Sequence, residues 1–261
     1  MELGLKGKVA LVTGSSRGIG RGVALALAAE GCDVMLTGRD AAALNETAEA
    51  IRKSGRKAGV AVLDLREKAA PEKLIEQTKR ELGGLDILVN NAGATKRGDF
   101  LELTDADWED GYALKFFGHM RLARAAWPLL KERHGSLVSI GGTGARKPTA
   151  EFTIGSSVNS AVTGFTKCLA DRGKTEGVQV NCIHPSVVET DRTRRRIKAR
   201  MESTGKSEQA IRDEILGEFN NTIRFGTVED VADLVTFIVS KRGTWLHGAT
   251  IDLDGGEIQT P

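Results

Sequence analysis

The sequence predicts a single doubly wound α/β domain: a parallel sheet covered by helices on both faces. Two observations carry this. Short apolar runs alternate with longer amphipathic stretches along the whole chain, as expected for strands buried on both faces and joined by crossover helices. The length of 261 residues, with 40% hydrophobic and 28% charged residues, suits one sizeable core and gives no sign of disorder.

The elements follow in order. Residues 8–13 (KVALVT) read as a buried strand, and 18–30 as a helix after a glycine turn. Residues 33–37 (DVMLT) form the second strand, and 40–54 a helix with Asp40 as its N-cap. The third strand spans 57–64, followed by a helix over 68–82 and a fourth strand over 85–90 (LDILVN). Residues 104–133 read as one long helix opening on a capping-box-like TDAD, where Glu or Gln would be usual in the last position. A fifth strand spans 136–140, a helix 155–173 and a sixth strand 178–184. Residues 191–221 are helical and polar, 228–240 form a helix and 249–253 the last strand. In such folds the ligand crevice lies beyond the carboxyl ends of the strands. The segment 190–222 looks like an insertion at its rim and is expected to act as a lid on the single domain 1–261.

The formal net charge of +2 gives no broad field for nucleic acid or an anionic membrane. No apolar run approaches the roughly 18 residues of a membrane span, and the N-terminus enters a strand without a signal-peptide core. Cys32, Cys168 and Cys182 are odd in number and lack CxxC spacing. Buried thiols in a reducing cytoplasm are expected. His119 and His184 lack paired ligand spacing, so no metal site is expected.

The segment Thr13-Gly-Ser-Ser-Arg-Gly-Ile-Gly20 follows the first strand and opens a helix. Gly14, Gly18 and Gly20 provide a tight turn, close approach to a pyrophosphate and helix–strand packing, and the helix N-terminus offers free N–H groups. Ser16, Arg17 and Ile19 belong to the same loop. This predicts a dinucleotide site. The second strand ends in Thr37-Gly38-Arg39 with no acid before Asp40. A carboxylate there would repel a ribose 2′-phosphate, whereas Arg39, with Arg17 below it, would bind one. NADP(H) is therefore expected over NAD(H), which stays possible.

These residues resemble the short-chain dehydrogenase/reductase family, and the resemblance extends along nearly the whole chain. TGSSRGIG matches its glycine motif, and Asp64, followed by Leu65, its adenine-side acid. Asn90-Asn91-Ala92-Gly93 matches its NNAG segment, Asn181 to Pro185 with Thr190 its NxxxPGxxxT segment (Ser186 replacing Gly), and Asp252 to Gly256 its DGG signature. The resemblance implies a Rossmann domain, carbonyl/alcohol oxidoreduction on a small molecule, and a homo-oligomer, tetramer or dimer. It also implies an Asn-Ser-Tyr-Lys tetrad. Counting from local anchors places Lys115, Gly142, Gly155 and Asn159 at those four positions. The only tyrosine is Tyr112. Phe152, one small slip away, has no hydroxyl.

Three readings stay open. In the first, the chain is an oxidoreductase with a rearranged acid: Lys115, its pKa lowered by burial and by the nicotinamide charge, with Tyr112 one turn earlier and Asn159 on ribose hydroxyls. In the second, it is a silent subunit supporting an active homologous partner. In the third, it does non-redox chemistry. The small residues around Gly155 leave room where Tyr and Lys would stand. Finally, residues 191–200 hold six basic residues and one acid. That density predicts either an anionic substrate or a solvated face balanced by downstream acids.

Overall fold

The computed structural model describes residues 2–220 and 222–259. Seven strands form one sheet: β1 (Val9–Thr13), β2 (Asp33–Gly38), β3 (Ala58–Val62), β4 (Ile87–Asn90), β5 (Ser136–Ile140), β6 (Gln179–Pro185) and β7 (Thr250–Leu253). Their order is β3-β2-β1-β4-β5-β6-β7 and every pairing is parallel. The chain winds outward from β1 to β3, then returns to place β4 on the other side of β1. That reversal opens a crevice beyond the ends of β1 and β4.

Strand alternation divides the core between two faces. Ala10, Val12, Val34, Leu36, Ile87 and Val89 point to one side. They pack with Val23 and Leu27 of α1 (Gly18–Ala29), Leu44 of α2 (Ala41–Lys53) and Val231 and Val235 of a late helix, Val228–Ile238. Leu11, Met35 and Leu88 point to the other. They meet Leu74 and Ile75 of α3 (Ala70–Leu82) and a helix carrying Leu122 and Leu130. Burying each Val, Leu, Ile or Met side chain among these contributes about 1.5–3 kcal/mol.

Several boundaries differ from the sequence expectation. The third strand ends at Val62, so Asp64 lies in the following turn, where it accepts from the Arg66 N–H (3.0 Å). The predicted helix 104–133 is three pieces: α4 (Asp105–Tyr112), a π-helical turn (Ala113–Gly118) and α5 (His119–Glu132). Periodicity does not register one widened turn, and such turns recur at functional sites. At its start Asp107 completes a reciprocal capping box with Thr104, doing the work of the usual Glu. The next helix, α6 (Thr153–Glu176), begins before Gly155 and runs on to a left-handed Gly177.

The expected helix over 191–221 divides into α7 (Asp191–Thr204) and α8 (Glu208–Glu218) at Gly205, which has φ 71°. Its last expected residue, Asn221, lies outside the described residues. Ile197, Ile211 and Ile215 of these helices form a small core of their own with Val187 and Phe225. The helix Val228–Ile238 is then α9. Cys32 and Cys182 are buried free thiols, but Cys168 is exposed, contrary to expectation, because it lies on the outward side of α6. Among the described residues no helix is long and apolar enough to cross a membrane.

Candidate active site

A pocket of about 960 Å³ lies at the crevice, and the glycine loop forms one of its walls. Gly14 adopts φ 66°, a conformation that favours glycine. A Cβ on Gly20 would come within 2.3 Å of the Gly14 carbonyl oxygen, so that glycine serves helix–strand packing. Arg17 precedes α1 in extended backbone, and no side chain caps the helix. The first N–H groups of α1 are thus left for an anion. The facing loop is tied to β1: the Thr13 hydroxyl accepts from the N–H groups of Asn91 (2.8 Å) and Ala92 (2.9 Å), and the Asn91 amide donates to the Thr13 carbonyl (2.9 Å).

Twelve of the expected cofactor residues line the pocket: Gly14, Ser16, Arg17, Gly18, Ile19, Arg39, Asp64, Leu65, Asn91, Ala92, Gly93 and Thr190. Gly20 and Pro185 do not; the first is buried in the loop's packing and the second closes β6. Arg39 and Arg17 stand at the mouth, each 3.8 Å from a carboxylate, Asp64 and Asp40 respectively. The Asp40 side chain also caps α2, accepting from the Ala43 N–H (3.2 Å). Sequence reasoning missed Leu114 and Ile140, whose contribution is mainly shape, and Gly141, whose carbonyl faces Lys115. It also missed Arg192 and Arg195 as pocket residues. They lie in the basic run, but the sequence does not say which of its members face inward.

Of the four positions aligned with the tetrad, Lys115 alone lines the pocket. The π turn carries its side chain across Gly93, and its Nζ donates to the Gly141 carbonyl (3.0 Å). Burial, aided by Arg192, pushes its pKa from 10.5 down to about 8. Tyr112 is not brought to the pocket; its ring meets Phe116 edge-on, 6.1 Å between centroids, and the widened turn separates the two faces.

Asn159 is 2% exposed and lies beneath Gly142, where a Cβ would stand 3.0 Å from its Nδ2. Among the described residues its Oδ1 has no hydrogen-bond partner. The room expected at Gly155 is filled from within: the Phe152 ring approaches to 2.1 Å of where a Cβ would sit. Both singled-out histidines are internal. His119 is neutral, with burial holding its pKa near 3, and its Nε2 bonds the Ala92 carbonyl (2.8 Å). His184 bonds the Thr163 hydroxyl (2.9 Å), and burial lowers its pKa. Among the described residues no group of three or more His, Cys, Asp or Glu is placed to hold a metal ion.

Comparison with known proteins agrees with this geometry. Residues 8–200 match the family model described as short chain dehydrogenase. The chain is 33% identical over 261 residues to a 3-oxoacyl-(acyl-carrier-protein) reductase FabG from Aquifex aeolicus, covering 98% of this chain and 99% of that one. The L-sorbose reductase of Gluconobacter frateurii, solved with NADPH and L-sorbose, superposes with a TM-score of 0.96 at 29% identity and covers all of both chains. A short chain dehydrogenase from Burkholderia cenocepacia, solved with NADP, gives 0.84 at 32% identity over 97% of this chain and 98% of that one. The likeness spans the whole domain, not the glycine loop alone, and its named relatives include reductases: the chain belongs to the short chain dehydrogenase family.

Proposed function

We propose that the chain is an NADP(H)-dependent oxidoreductase that interconverts a carbonyl and an alcohol, with Lys115 as its proton donor and acceptor. The observation that carries this is the withdrawn Lys115 on the pocket wall, its pKa near 8. That value suits proton transfer in either direction near neutral pH. The residues present fit the dinucleotide. The uncapped N-terminus of α1 would hold the pyrophosphate. Arg17 and Arg39 would take the 2′-phosphate, and Asp64, Leu65 and the Asn91–Gly93 loop would enclose the adenosine. Arg192, which donates to the Gly93 carbonyl (3.3 Å), and Arg195 add positive charge to the pocket lining. When bound, NADP(H) supplies or accepts the hydride.

Lys115 does the rest of the chemistry. Its ammonium gives a proton to the substrate oxygen during reduction, and its neutral amine takes one back during oxidation. The Gly141 carbonyl orients the Nζ. Helices α7 and α8, with their separate small core, serve as the lid over this end of the crevice. Two titrations test the reading. Calorimetry should give micromolar NADPH binding and weaker NADH binding. Lys115→Met should abolish turnover of a carbonyl panel while NADPH still binds; turnover at the wild-type rate would exclude Lys115 as the acid.

One observation favours a silent subunit instead. The Phe152 ring fills the place where a tyrosine would start, and Asn159 is buried away from the pocket. On that reading the pure protein binds nucleotide without turnover and co-purifies with a homologue bearing Tyr and Lys.

A further inference from the structure

The basic run of α7 is mostly neutralised. Arg196 and Arg200 both pair with Glu218 (2.5 and 2.6 Å), Arg194 with Asp191 (2.7 Å) and Lys198 with Glu202 (3.9 Å). Arg192 and Arg195, which line the cofactor pocket, carry no ion pair among the described residues; a further unpaired cation lies outside the run. Arg97 lies in the loop after Gly93, with its guanidinium 3.9 Å above the centroid of the Phe152 ring. Among the described residues it makes no ion pair, and Glu218 and Glu151 act on it only at longer range. The loop is pinned beside the ring by the Gly98 N–H, which donates to the Glu151 carbonyl (3.1 Å).

We propose that Arg97, held over the face of Phe152, selects substrates that carry a carboxylate. This rests on the carbonyl-reduction reading above and names the substrate class for that site. Stacking on an aromatic face fixes the guanidinium plane and leaves its edge N–H groups free. A planar fork of donors matches a carboxylate in bidentate fashion. The loop that carries Arg97 leaves the pocket wall at Gly93 and Ala94, and Gly93 lies against the Lys115 side chain. Arg97 is three steps along the chain from Ala94, at most about 11 Å between Cα atoms. A substrate with a few carbons between its carbonyl and its carboxylate would extend from Lys115 towards this loop. A single fork with Glu218 and Glu151 in the background suits a monoanion. The nearby Arg196 adds repulsion at Arg97, which an incoming carboxylate would offset.

The test compares 4-oxopentanoate with its methyl ester at saturating NADPH. Wild type should prefer the acid by about 10- to 100-fold in kcat/KM, mostly through KM, the range of one charge-assisted bidentate pair. Arg97→Met should bring the acid-to-ester ratio close to one, and Arg97→Lys should fall between. A structural role for Arg97 would lower both substrates alike and leave the ratio unchanged, which would overturn the proposal. So would a wild type without preference. If neither compound is reduced by wild type, the Lys115 reading fails, and titration of NADP+-saturated protein with 4-oxopentanoate still decides on Arg97. Binding lost in Arg97→Met supports the proposal; equal binding in both proteins, or none in wild type, refutes it.

Discussion

Replacing Lys115 with Met should stabilise the fold while abolishing its chemistry. The free lysine titrates at 10.5 and the folded one at about 8, with burial as the largest cause. At about 1.4 kcal/mol per pH unit, keeping this group protonated in the fold costs about 3 kcal/mol. Below pH 8 the ammonium is charged in both states, so the whole cost is present. As the pH rises from 8 towards 10.5, the folded protein sheds a proton that the unfolded chain still holds, and the cost is relieved; at pH 10 it is under about 1 kcal/mol. Methionine removes the charge and fills a similar volume, but leaves the Gly141 carbonyl without its donor, a loss of about 1 kcal/mol. The net gain at pH 7 is about 2 kcal/mol, or about 4–8 °C in Tm. Thermal melts of both proteins without nucleotide at pH 7 and pH 10 measure it. A gain at pH 7 that shrinks at pH 10 agrees with a desolvated ammonium. A variant less stable than wild type at pH 7, or a gain independent of pH, would refute the assignment.

Three further outcomes follow from the same geometry. Carbonyl reduction needs the Lys115 ammonium, so its rate should fall as pH rises through about 8 while alcohol oxidation rises over the same interval; a flat profile, followed by NADPH absorbance, would show that another group moves the proton. Arg39→Ala should weaken NADPH binding by about 10- to 100-fold and leave NADH nearly unchanged, since the charge-assisted contact is made only to the 2′-phosphate; equal losses for both nucleotides would remove Arg39 from that role. Installing Gly155→Tyr with Asn159→Lys should destabilise the protein by about 1–3 kcal/mol, because the new Cβ would meet the Phe152 ring at 2.1 Å. Adding Phe152→Ala should recover part of that loss in thermal melts, and no recovery would mean that the ring is not the obstacle.

The glycine-loop wall of the pocket was legible in the sequence because backbone shape restricts residue type there. Gly14 sits at positive φ and Gly20 touches a carbonyl oxygen, so both must be glycine wherever this loop is built. The rest depends on contacts between distant residues. Which arginines of α7 remain free is decided by Glu218, some twenty residues away, and by which side of α7 turns towards Gly93, whose carbonyl accepts from Arg192. Whether Tyr112 or Lys115 reaches the pocket is decided by one widened helical turn that no periodicity records.

The positions aligned with the tetrad show the same limit most clearly. Read singly, Gly142, Gly155 and Asn159 look like three unrelated residues. In the fold they belong to two neighbouring contacts: Asn159 occupies the space beneath Gly142, and Phe152 the space above Gly155, with Gly144 against the same ring. A side chain at 142 would crowd the amide of Asn159, and one at 155 would expel the ring on which Arg97 is stacked. These positions therefore constrain one another. Restoring two of them leaves the others shaped for a different occupant, and a function that depends on Lys115 and Arg97 is built on the arrangement that the restored tyrosine would remove.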